Sequence, residues 1–144
     1  MKGPKKTQYG DYAKWLSFEV LAKYTIRLIF TEDLMKSAEG RLGQTPDRTA
    51  DAFCFHVSNK GMSYIFLPMD AGEGTVAHEA WHIVHKVMEY VGVKDLDNEV
   101  VAYYLGHLVE KIYEFKNKIQ TTEKSNDKGK CGASVKAASK RRNR

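Results

Sequence analysis

The sequence predicts an α+β domain in which a short antiparallel or mixed sheet packs on two consecutive helices. Three observations carry that prediction. Tyr24, Ile26, Leu28 and Phe30 alternate with other residues at the period of a strand, and two aromatic and β-branched runs, Ala52 to Val57 and Met62 to Leu67, flank a turn at Ser58 to Gly61. Apolar residues then recur at the helical period after Gly74 and again after Asp97. A chain of 144 residues is large enough for one two-layer core and too small for two.

Taken in order, residues 1 to 16 read as a basic N-terminal segment carrying Lys2, Lys5, Lys6 and Lys14. Phe18 and Val20 hint at an early strand, so Glu19 to Thr31 is one long strand or two. Thr31 followed by Glu32 and Asp33 has the signature of a helix cap with an acidic first turn, which predicts a short helix from Glu32 to about Glu39, closed by Gly40. Arg41 to Thr49 reads as a loop. The Ser58 to Gly61 turn makes a hairpin of the next two runs, and Pro68 ends the second. Thr75 predicts the cap of a helix from Val76 to Val91, with Gly92 just beyond it. A further helix starts near Asp97 and runs to about Lys118.

Charge is segregated. The formal net charge is +5, but residues 1 to 14 contribute +3 and residues 121 to 144 contribute +6, which leaves −4 on the body. Residues 120 to 144 have Val135 as their only large aliphatic side chain and are expected to be a disordered basic tail. Its Lys140, Arg141 and Arg142 fit a weak nucleic-acid contact by counterion release. Cys54 and Cys131 have no framework spacing and suit a reducing compartment. No run is apolar enough for a secretory signal or a bilayer span, so a cytoplasmic protein without membrane contact is expected.

The chemistry concentrates in His78-Glu79-Ala80-Trp81-His82. At about 100° per residue, with His78 at zero, His82, His85 and Glu89 fall within about 40° of it, whereas Val76, Ala77, Ala80, Trp81, Ile83, Val84, Val87, Met88 and Val91 fill an arc from about 140° to 300°. Imidazoles one turn apart can aim ring nitrogens at one ion, and Glu79 can take a proton from an attacking water. This spacing is that of zinc hydrolases. Three protein ligands are usual for a catalytic zinc. Glu99, 17 residues beyond His82, is the candidate for the third, its alternative being a first-turn carboxylate facing the helix dipole. Glu89, Asp95, Asp97 and Glu110 follow it.

His85 stands about 10.5 Å along the helix axis from His78, which suits a residue that orients a ligand or lines the cleft, or a solvated one. Tyr103, one turn past Glu99, can donate to a ligand or to a developing oxyanion, or sit at a helix seam. His56 reads as structural, His107 as too far rotated from Glu99 to join it, and Trp81 and Tyr104 as core aromatics.

Gly74 to His82, followed by Asp97-Asn98-Glu99-Val100-Val101-Ala102-Tyr103-Tyr104, resembles the zincin metallopeptidases of the gluzincin type. In layout, residues 24 to 119 also look like small bacteriophage-encoded zincin-like proteins, for which the host cytoplasm would be the compartment. The resemblance implies a zincin-like domain over residues 17 to 119 and one Zn²⁺ per chain held by His78, His82 and Glu99. It also implies Glu79 as general base and a peptide or protein substrate. It further implies an edge strand that pairs with an extended peptide, for which Met62 to Leu67, with Tyr64 and Phe66, is the candidate. Two departures stand out: the gap to Glu99 is shorter than in thermolysin-like enzymes, and Tyr103 occupies a position often held by an acid. The expected function is zinc-dependent peptide hydrolysis. The alternatives are a non-catalytic zincin-like binding or assembly module of a phage and a nucleic-acid-associated protein acting through its basic tail.

Overall fold

The computed structural model describes residues 3–18, 24–47, 49–93 and 98–139, with side chains through residue 127 other than those of Phe18 and Ser58. The architecture is α+β. Strands β1 (Tyr12–Phe18), β2 (Tyr24–Thr31), β3 (Phe53–Val57) and β4 (Met62–Pro68) form one mixed sheet in the order β1-β2-β4-β3. β2 and β4 are parallel and the other two pairings antiparallel. Helix α1 (Leu34–Leu42) follows β2, and α2 (Glu73–Tyr90) and α3 (Asn98–Ser139) follow β4.

The alternation in β2 sorts its side chains as the sequence predicts. Tyr24, Ile26, Leu28 and Phe30 join Ile65 and Leu67 of β4 under Val76, Ala80, Ile83, Val84, Val87 and Met88 of α2 and under Tyr104, Leu108, Ile112, Phe115 and Ile119 of α3. The α3 residues recur every three or four positions, a stripe that meets α2 and the sheet. Ile29 and Phe66 point the other way and pack on Ala38 of α1.

Several expectations are corrected. β4 is not an edge strand: it is paired on both sides, so Tyr64 and Phe66 cannot pair with an added peptide backbone. The cause is visible in the run Ile65, Phe66 and Leu67, all fully buried, which a strand tolerates only where both faces are covered. The edges are β1 and β3. The N-terminal segment is not separate from the domain, because β1 begins at Tyr12 and pairs along its whole length with β2. Helix α1 starts two residues and ends three residues beyond its predicted span: Thr31 is the last residue of β2, Asp33 is the cap, accepting from Lys36 N at 3.0 Å, and Gly43 ends the helix with φ of 65°.

The shift of α1 brings Arg41 into the helix and onto a buried carboxylate. Arg41 Nε and Nη2 donate to the two oxygens of Asp11 at 2.8 and 2.6 Å, and the hydroxyls of Ser37 and Thr7 also donate to it. Burial alone would raise the Asp11 pKa, but the hydrogen bonds from Arg41, Ser37 and Thr7 and the Arg41 charge outweigh it and hold the carboxyl below its usual range. This cluster ties the start of the chain to α1.

Residues 121–139 continue α3 instead of forming an irregular tail, while 140–144, with Lys140, Arg141 and Arg142, lie outside the described residues. No proline follows Pro68, and Thr121, Thr122 and Ser125 donate their hydroxyls to carbonyls four residues back at 2.8 to 2.9 Å. Tyr12 OH donates to Glu123 Oε1 at 3.0 Å, and burial together with that carboxylate pushes the phenol pKa up to about 12. Among the described side chains, the buried apolar stripe of α3 ends at Ile119.

Candidate metal centre

Helix α2 begins a few residues earlier than its sequence suggests, capped by Gly72 with Glu73 in the first turn. Its buried residues are Val76, Glu79, Ala80, Ile83, Val84, Val87 and Met88. On the wheel anchored at His78 they span about 100° to 280°, an arc turned toward Glu79 by some 20° to 40° relative to the expected one. That turn has two consequences. Glu79 is drawn into the interior, 7% exposed, and Trp81 is pushed out of the core to 45% exposure.

His78 and His82 point together, with their Nε2 atoms 3.1 Å apart and their ring planes inclined at 78°. Two nitrogens at that separation can both stand about 2.0 to 2.1 Å from one ion at an angle of roughly 100°, close to tetrahedral. The donor set therefore fits a zinc ion as far as it goes. Among the described residues, no group of three His, Cys, Asp or Glu side chains is arranged to hold a metal. Glu99 is exposed in the first turn of α3, while Asp95 and Asp97 lie outside the described residues. Glu89 is committed elsewhere: Lys86 Nζ donates to it at 2.6 Å and lowers its pKa.

Trp81 forms a wall beside the histidines. Its ring meets His82 edge-on at 5.3 Å and covers His85 at 3.8 Å. His85 is thus packed on an indole next to the pair. Tyr103 is 69% exposed and touches Tyr104 edge-on. Tyr104 is buried, as expected, and His107 lines a small hollow with Leu16, Ser17 and Lys111 facing β1.

The residues that sequence reasoning missed lie on β3. Cys54 and His56, two apart and therefore on one face, turn toward α2. The Cys54 thiol donates to Glu79 Oε2 at 3.0 Å and lies 3.4 Å from the Glu79 carbonyl oxygen. Burial, and after it the Glu79 carboxylate, pushes the thiol pKa well up, so Cys54 is a protonated donor. His56 Nδ1 shares a hydrogen bond with Ser63 Oγ at 2.8 Å, and Ser63 Oγ in turn meets Tyr24 OH at 2.5 Å. Burial first, then Lys86 and His82, lower the His56 pKa. The signal that could have found this wall was the alternation in Phe53 to Val57 combined with the hairpin register, which sets Cys54 opposite Ile65 and His56 opposite Ser63.

The histidines sit at an open surface. A shallow groove between the N-terminal segment and α3, lined by Lys5, Lys14, Phe115 and Lys118, lies away from them. Comparison with protein-family models, with curated proteins and with solved structures finds no match to this chain. Among the described residues, no helix is long and apolar enough to cross a membrane.

Proposed function

We propose that the chain is a zinc-dependent metallopeptidase that holds one zinc ion through His78, His82 and Glu99 and uses Glu79 as general base on a peptide or protein substrate. The observation that carries this reading is the 3.1 Å approach of two imidazole Nε2 atoms on one helix face, next to a carboxylate. When bound, zinc supplies Lewis acidity that polarises a carbonyl and acidifies water. To serve as ligands through Nε2, both rings must be neutral and carry their proton on Nδ1. Glu79 has one oxygen held by the Cys54 thiol and keeps lone pairs with which to accept a proton from the attacking water and return it to the leaving amine. β3 is the edge strand beside α2, and an extended peptide can add to it by backbone pairing.

The test is a peptide library at neutral pH, with zinc-loaded wild type, Glu79→Gln and a chelator control. Wild type should cleave, and Glu79→Gln should keep zinc while losing about 10²- to 10⁴-fold in rate. Equal cleavage by both proteins would expose a contaminating protease and remove the hydrolytic reading.

One observation favours a second reading. Burial of Glu79 against Cys54 suits a non-catalytic zincin-like binding module in which the carboxylate is a packing group. That reading expects zinc binding without cleavage, with wild type and Glu79→Gln behaving alike.

A further inference from the structure

The sheet has two faces, and the helices cover them unequally. One face is closed by α2 and α3. On the other, α1 packs Leu34, Ala38 and Leu42 over Ile29 and Phe66, with Ala13 and Phe53 at the margin. These four strand residues form one cross-strand row, Ala13 opposite Ile29, Ile29 opposite Phe66 and Phe66 opposite Phe53. Phe53 and Phe66 are stacked, with centroids 4.5 Å apart and planes within 9°, which closes the row.

Two residues further along each strand, on the same face, the register builds a different row. Trp15 stands opposite Arg27, Arg27 opposite Tyr64, and Tyr64 opposite Phe55. Trp15 is 49% exposed, and Arg27, Tyr64 and Phe55 are each half-buried. Their rings are not closed on one another: Trp15 and Tyr64 are 6.2 Å apart at 58°, and Phe55 and Tyr64 are 6.4 Å apart at 60°, while one side of Tyr64 leans on Phe66 of the neighbouring row, 6.3 Å away with planes within 20°. The Arg27 guanidinium lies 4.8 Å from the Trp15 centroid, and among the described residues no carboxylate forms an ion pair with it. A guanidinium held against an indole keeps its charge and leaves its edge donors free.

We infer that this row binds single-stranded nucleic acid, with bases stacking on Trp15, Tyr64 and Phe55 and Arg27 pairing with a backbone phosphate. The commitment to this ligand rests on the cation in the middle of the aromatics, which among the described residues meets no carboxylate within ion-pair distance although it feels the Asp11 charge. A flat apolar protein surface laid on the row would bury Arg27 without a counter-charge, at a heavy desolvation cost. A neutral sugar would leave the guanidinium with no anion to meet. A chain of planar bases joined by phosphates satisfies both features, and aromatic faces accept any base. The inference is independent of the metal centre, which lies on α2 across the sheet.

The test titrates the full chain with fluorescently labelled 12-mers of uridylate and of thymidylate at two salt concentrations. Binding of either polymer is expected. A preference for the RNA would add the ribose hydroxyl to the recognised chemistry, and equal binding would confine recognition to bases and phosphates. Trp15→Ala and Tyr64→Ala should each weaken binding by about 5- to 150-fold, Trp15→Phe much less, and Arg27→Gln should flatten the logarithmic salt slope by about 0.7. Because an alanine variant could fail to fold, a Trp81→Phe chain supplies a direct readout: Trp15 is then its only tryptophan, and bound oligonucleotide should quench it. Three results would overturn the inference: no binding at low salt, binding that survives both alanine substitutions and leaves Trp15 unquenched because the basic end of α3 carries it, or Trp15-dependent self-association in sedimentation without oligonucleotide binding.

Discussion

At the scale of single residues, the Cys54–Glu79 hydrogen bond links the fold to the proposed chemistry. A carboxylate that is 7% exposed needs donors, and Cys54 supplies one from the neighbouring strand. Cys54→Ala removes that donor and leaves a small void. Urea denaturation should register a loss of about 1 to 3 kcal/mol; a loss below a few tenths would mean that the thiol does not hold Glu79 in solution. Asp11 offers a second test, with a definite pH signature. Its folded pKa lies below the unfolded one, so its contribution is present above about pH 3.9 and is lost as pH falls through the folded value. Asp11→Asn leaves the Arg41 guanidinium buried without its partner, and at pH 7 it should cost about 3 to 5 kcal/mol. The gap between wild type and variant should narrow in unfolding curves taken below pH 4. A gap that stays constant down to pH 2 would contradict the assignment.

At the scale of elements, the end of α3 is where the structure departs furthest from expectation, and truncation measures how much that matters. Deleting 121–144 removes the Tyr12–Glu123 hydrogen bond and the Thr122 side chain that Gly3 lies against. A loss of about 1 kcal/mol, or roughly 3 °C in melting temperature, is expected. Deleting only 128–144 leaves these contacts in place and should leave the melt unchanged. Equal melts for both truncations would make residues 121–127 dispensable. β2, β3, β4 and the two long helices were legible because each carries a strong apolar period, as in Tyr24 to Phe30 and in Leu108, Ile112, Phe115 and Ile119, whereas β1 fell mostly inside the segment read as basic and was not recognised as a strand. The edge position was not legible. Sheet order depends on which faces are covered, and only the unbroken burial of Ile65 to Leu67 marks β4 as central. At the site, the spacing of His78 and His82 was readable from the helical period, whereas the inward turn of Glu79 depended on β3 arriving with Cys54, a contact 25 residues away in sequence.

At the scale of the whole molecule, metal binding and folding should be one equilibrium. The two histidines lie on α2, whose apolar arc holds the sheet, and Glu99 opens α3, which packs against both, so a ligand bridging them would clamp the two helices together. An ion that binds only the folded chain stabilises it by about 2.7 kcal/mol at a hundred times its Kd, roughly 5 to 10 °C in melting temperature for a chain of this size. Elemental analysis should find one zinc per chain, and a chelator should reverse the thermal shift. His78→Ala and His82→Ala should each abolish both the stoichiometric zinc and the shift, because two remaining ligands hold zinc poorly. Glu99→Ala separates the two halves of the proposal. Loss of zinc would tie the start of α3 to the histidine pair, and full occupancy with an undiminished shift would remove Glu99 and move the third ligand to Asp95, Asp97 or Glu110. Absence of any zinc-dependent shift in folded wild type would leave the 3.1 Å contact as a hydrogen bond between two imidazoles and end the metallopeptidase reading.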